Sequence, residues 1–180
     1  TLIAYGTKYG CTERCAKVLA EKLDGKVDLC NLKVTKNVEL SQYDKIIVGG
    51  SIYIGKVQKE VTEFCSNNLA ALKDKKVGFF ICCMRDGEIA ETELKDAFPQ
   101  ELLTNAAAKE YFGGEFIFSK MGFLDRFIAK KVSKTDKDTS NILDTKISRG
   151  RITHANISEF HNAPKSIQSC PIMNISRTIL

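Results

Sequence analysis

Tryptophan is absent from this chain of 180 residues, proline occurs three times and histidine only twice. His154 and His161 stand seven apart with no cysteine or acidic ligand set beside them, so no metal centre is expected. No Ser-His-Asp set and no pair of carboxylates placed for acid–base work can be picked out. Apolar runs stay well short of the roughly 18 residues that would suggest a membrane span, and no charged-then-apolar signal segment opens the sequence. The expectation is a cytoplasmic protein. Aromatic residues are not interleaved with a basic stripe, and no nucleic-acid partner is expected. The seven cysteines include no C-x-x-C pair, and their odd number suits reduced thiols better than a disulfide framework. Cys30 and Cys65 lie in apolar patterns and read as small buried hydrophobes.

What is present suits one soluble domain with a sizeable core, at 43% apolar and 27% charged residues. The net charge of +5 is unevenly placed: up to Asp144 there are 22 basic and 21 acidic residues, and after it five basic and one acidic. The body is nearly neutral and the excess belongs to the tail.

Short strand-like runs alternate with helical windows. Strands are expected at Leu2–Tyr5, Val27–Leu32, Lys45–Gly49, Val77–Cys83 and Glu110–Phe118, several of them continuous rather than alternating, as in a sheet covered on both faces. Helices are expected at Glu13–Leu23, Val57–Leu72 and Ile89–Phe98, the last closed by Pro99. That order predicts a doubly wound α/β fold with a parallel sheet. Ligands in such sheets collect beyond the carboxyl ends of the strands, where the winding reverses.

Three segments lie there. After the first strand comes GTKYGCT, where Gly6 and Gly10 permit close approach, Thr7 and Thr12 offer hydroxyls, and a helix opens directly behind. Convergent amides and a helix N-terminus are what a phosphate needs. A Walker A loop would require Lys before the final Thr, and Cys11 stands there. A dinucleotide fingerprint would require a third glycine. A tight βα turn without a ligand is the alternative reading. After the third strand, Gly49-Gly50-Ser51-Ile52-Tyr53-Ile54-Gly55 could lay a side chain against a planar ring. After the fourth, Cys82-Cys83-Met84-Arg85-Asp86-Gly87 brings a cation.

Together these loops resemble the flavodoxin superfamily over about residues 1–135. The resemblance implies a five-stranded sheet of order 2-1-3-4-5 with FMN bound noncovalently at its carboxyl edge. Carried over, the phosphate loop is Thr7, Lys8, Tyr9, Gly10, Cys11 and Thr12, with Cys11 where Asn is usual. The ring-flanking loop is Ser51, Ile52, Tyr53, Ile54 and Gly55. Cys83, Met84 and Arg85 form the third contact, without the aromatic stacker of electron-carrier flavodoxins. Arg85 near the ring would stabilise its reduced anion and raise the two-electron potential.

The stretch EYFGGEFIFSKMGFLDRFIAKKV resembles a segment of flavodoxin-like, menaquinone-dependent protoporphyrinogen oxidases, most specifically at Gly113-Gly114 and Phe123-x-Asp125-Arg126. It implies an extra helical insertion after strand five, and an FMN-dependent oxidoreductase of heme biosynthesis working with a quinone or a redox partner protein. An electron-carrier flavodoxin and a flavin-free binding module are the rival functions. Phe123, Leu124, Phe127, Ile128 and Val132 make an apolar stripe, with Arg126, Lys130, Lys131 and Lys134 as cations. Such a helix, over Phe123–Lys134, can rest at the inner face of a membrane or simply pack on the sheet. The domain is expected to span residues 1–163, with a last helix at Ala155–Asn162 and an irregular tail at 164–180.

Overall fold

The computed structural model describes residues 1–115 and 117–133. Six strands form one sheet: β1 (Leu2–Gly6), β2 (Asp28–Asn31), β3 (Lys45–Tyr53), β4 (Lys56–Val57), β5 (Lys76–Cys82) and β6 (Ala108–Tyr111). The order is β2-β1-β3-β5-β6, all parallel, with the two-residue β4 turned back antiparallel on β3. Setting β4 aside, this is the expected 2-1-3-4-5 sheet.

The continuous apolar runs arise because alternate residues of each central strand enter different cores. Leu2, Ala4, Ile46, Val48, Val77, Phe79 and Ile81 join one cluster, which α2 (Lys59–Asn67), α3 (Leu69–Lys73), α4 (Gly87–Ala97) and α5 (Gln100–Thr104) complete. Ile3, Tyr5, Ile47, Phe80 and Cys82 join another, against α1 (Cys11–Lys22). Phe79 and Phe80 therefore fill opposite sides of the sheet, each burial worth about 1.5–3 kcal/mol. Cys30 and Cys65 are buried in the first cluster, as their apolar surroundings suggest.

Helix α1 buries Cys15, Ala16 and Leu19 and carries Glu13 in its first turn and Lys22 in its last, both favourable to the dipole. Gly10 begins it at φ 93°, a left-handed conformation that favours glycine. After β6 come Gly113-Gly114, a 3-10 turn at Phe118–Lys120 and α6 (Phe123–Ser133), the last of the described elements.

Several boundaries differ from expectation. The third strand runs four residues past Gly49, because Ser51 still pairs with Cys82 and Ile52 and Tyr53 pair with Val57 and Lys56. Glycine there serves close packing: a Cβ on Gly49 would lie 2.0 Å from the Phe80 ring. The Val57–Leu72 window is a strand residue followed by two helices, broken at Asn68, whose side-chain amide donates to the Phe64 carbonyl. The fifth parallel strand lies at Ala108–Tyr111, not Glu110–Phe118, since Gly113 takes φ 78° and turns the chain away. The expected helix at Ala155–Asn162, both histidines, the tail, Lys134 and the side chain of Val132 lie outside the described residues. Among the described residues no helix is long and apolar enough to cross a membrane.

Candidate functional site

The carboxyl ends of β1, β3 and β5 open onto a cavity of about 230 Å³. Thr7, Lys8, Tyr9 and Cys11 line it from the first loop, and Ser51, Ile52, Tyr53, Ile54 and Gly55 from the second. Cys83, Met84 and Arg85 line it from the third, with Arg85 exposed at its edge. Gly10 and Thr12 do not line it. Gly10 instead shapes the turn, its N–H donating to Thr7 Oγ1 at 3.0 Å, while Thr12 is wholly buried behind the wall.

The second loop is a two-residue hairpin turn between β3 and β4, with both central residues at positive φ, Ile54 at 51° and Gly55 at 71°. A β-branched residue rarely adopts that conformation, and here it costs about 1–2 kcal/mol. Gln58, at the start of α2, steadies the segment: its Oε1 accepts from the Ser51 N–H at 2.8 Å, and its Nε2 donates to Ser51 O and Oγ at 2.7 Å each. Gln58 escaped the sequence reading because its task, satisfying backbone seven residues earlier, has no local motif.

More of the wall comes from the segment after β6: Gly114, Glu115, Met121, Asp125, Ile128 and Ala129. None was an expected site residue, although Asp125 belongs to the FxDR motif. Gly114 sits so tightly that a Cβ would fall 2.7 Å from the Cys83 backbone carbon. Asp125 gathers the loops. Tyr9 and Tyr53 each donate a hydrogen bond to its carboxylate, and Lys8 Nζ pairs with it at 2.8 Å while lying 3.5 Å from the centroid of the Tyr53 ring. Hydrogen bonds from Lys8, then Tyr53 and Tyr9, hold the Asp125 carboxyl at about 2. Burial and the bond to Asp125 push the Tyr9 phenol up to about 12, and the same bond raises Tyr53. Arg14, one turn into α1, pairs with Glu115 and ties the insertion to the first helix. In the same wall the Cys11 thiol is held low by hydrogen bonds from Cys15 and Cys82, and the two partners are raised in turn.

These residues suit a ligand with a phosphate at one end and a flat apolar body. Thr12 Oγ1 is buried in the first turn of α1 without a hydrogen-bond partner among the described residues, beside amides that have no acceptor within the helix. Ile52, Tyr53, Met84 and Ile128 supply largely apolar walls around the middle of the cavity. Glu93 adds a polar point in that wall, its Oε2 buried and unpartnered among the described residues. Of the expected site residues, Lys8, Tyr9 and Tyr53 are engaged by Asp125.

The sequence matches the family described as Flavodoxin domain over residues 2–142. No match was found among curated proteins. Among solved structures, rubredoxin oxygen:oxidoreductase from Desulfovibrio gigas is 19% identical at a TM-score of 0.40, over 82% of this chain and 36% of that one, so this chain spans about a third of that protein. Flavodoxin 1 from Bacillus cereus is 14% identical at a TM-score of 0.42, over 74% of this chain and 97% of that one. The Fusobacterium nucleatum flavodoxin bound to flavin mononucleotide is 17% identical at a TM-score of 0.35, over 61% and 66%. With the family match covering residues 2–142, well over half of the chain, and three loops meeting at the carboxyl edge of a 2-1-3-4-5 sheet, the chain belongs to the flavodoxin domain family.

Proposed function

We propose that this protein binds FMN noncovalently in the cavity and works as an oxidoreductase. The observation that carries the reading is the buried, unpartnered Thr12 hydroxyl in the first turn of α1, directly behind the Gly10 turn whose neighbours Tyr9 and Cys11 line the cavity. Thr7, the backbone of Lys8–Cys11 and Thr12 would hold the phosphate, while Ile52, Tyr53 and Met84 would flank the ring. The flavin, when bound, supplies the electron-transfer chemistry. The chain supplies position and charge: the first turn of α1 favours an anion, the hairpin at Ile54-Gly55 limits water on one side, and Arg85 adds a cation at the rim.

The finer reading is an enzyme of the protoporphyrinogen or quinone class, in which α6 is part of the site. It is supported by Ile128 and Ala129, which give the cavity an apolar wall suited to a large, flat, poorly soluble reactant. It is also supported by the near balance of charge up to Asp144, which lacks the acidity of many electron carriers. We propose further that the outward face of α6 rests on an anionic lipid surface, since Phe123, Leu124 and Phe127 are 92%, 70% and 62% exposed beside Lys130 and Lys131.

The test is direct. Purified protein is expected to carry FMN, or to quench FMN fluorescence on titration at one equivalent, and Thr12→Val is expected to weaken that binding by roughly 10-fold. Protein that stays colourless in excess FMN removes the reading. Turnover of protoporphyrinogen with a menaquinone analogue then separates the enzyme from a carrier that only exchanges electrons with proteins.

A further inference from the structure

Behind the first loop, three cysteines from two distant segments converge. Cys11 and Cys15 stand one turn apart at the start of α1, and Cys82 ends β5. Their sulfurs all lie within 4.8 Å of one another, those of Cys82 and Cys15 at 3.3 Å. The residues are 7%, 3% and 2% exposed, none is in a disulfide, and Cys11 and Cys82 form part of the cavity wall. The other buried thiols do not gather in this way: among the described residues this is the one group of three metal-ligating side chains close enough to share an ion.

The spacing has a chemical meaning. Three thiolates around a metal at about 2.3 Å in a trigonal array stand about 4.0 Å from each other. The 3.3 Å pair lies below that value and the 4.8 Å bound on all three lies above it, so rotation of side chains can close the set without moving the sheet. An all-sulfur donor set selects soft cations over magnesium or calcium. Charge selects further: three thiolates around a dication leave one net negative charge, which the N-terminus of α1 offsets in part.

We propose that Cys11, Cys15 and Cys82 form a three-sulfur site for a thiophilic d10 dication of the zinc and cadmium class, open on its fourth side toward the cavity. Binding releases to solvent the protons that the thiols still carry and oxidises nothing. The site does not rest on the FMN reading, because its donors are side chains of the wall rather than the amides that would face a phosphate, although both draw on the N-terminus of α1.

The experiment uses the full-length protein, reduced, freed of metal by a chelator and titrated with Cd(II) alone. One tight equivalent is expected, with an ultraviolet thiolate-to-cadmium charge-transfer band. In Cys15→Ser the affinity should fall by roughly 100-fold or more, since even the loss of outer-shell support costs 10–100-fold. Cys65→Ala, in the other core, should leave the band unchanged. On the unsubstituted protein, Cd(II) should slow alkylation of Cys11, Cys15 and Cys82 and leave Cys30 and Cys65 at their own rates, as read by peptide mapping. That measurement decides the matter if a variant fails to fold. Absence of a tight equivalent, protection of other cysteines instead, or a band kept in full by folded Cys15→Ser overturns the site.

Discussion

Asp125 is the residue on which the site converges, because one carboxylate takes hydrogen bonds from two loops and a lysine while sitting on a third segment. Its carboxyl is held at about 2, below the usual value near 3.9. A depressed carboxyl stabilises the fold above its unfolded value and loses that contribution as pH falls through the folded one, here between about pH 4 and pH 2. Denaturant unfolding of Asp125→Asn is expected to show a shallower loss of stability than the parent across that window, and to match it in slope above about pH 5. Identical slopes would mean that the carboxylate is not clamped in the folded protein. Asp125 was visible in the sequence as part of a motif but not as a site residue. Its partners Lys8, Tyr9 and Tyr53 are 72 to 117 positions away, and nothing local announces such a contact. The loop residues themselves were legible, because small residues and hydroxyls immediately after a strand have a physical reason to be there.

Helix α6 illustrates what periodicity can and cannot say about an element. The apolar stripe expected on it divides in two: half-buried Ile128 lines the cavity beside buried Ala129, whereas Phe123, Leu124 and Phe127 are exposed. The amphipathic pattern was readable, but which part of it meets the protein depends on the turn at Phe118–Lys120, where Arg126 donates to the Phe118 carbonyl through Nε at 3.1 Å and Nη2 at 2.7 Å. If the outward face rests on lipid, the protein should float with vesicles containing anionic lipid and less well with neutral ones. The Phe123→Glu, Phe127→Glu pair should abolish flotation without altering the fold, since both side chains are exposed. Flotation unchanged by the pair would dismiss the lipid surface. Strand β3 shows the opposite limit: a Gly-Gly-Ser run reads as a loop, yet it continues the strand because the Phe80 ring and Val57 occupy the space where side chains would be.

At the scale of the whole molecule, the cavity draws its walls from the ends of β1, β3 and β5 and from the segment after β6, so one ligand would cross-link most of the sheet. FMN at about 100 times its dissociation constant is therefore expected to raise the unfolding free energy by about 2.7 kcal/mol in a single cooperative transition. Denaturant curves with and without FMN measure this, and a midpoint that does not move would argue that no mononucleotide is held across the loops. The parallel doubly wound sheet and its two-sided core were determined by the sequence alone, whereas the strand order followed from the resemblance to flavodoxins. Strand and helix periodicities, and the turn residues between them, are local properties, and alternation of the two leaves few topologies. The Asp125 cluster, the Gln58 clamp on Ser51 and the meeting of Cys11, Cys15 and Cys82 were decided only by the tertiary structure. Each joins side chains whose approach is dictated by packing of whole elements, and no spacing along the chain encodes that distance.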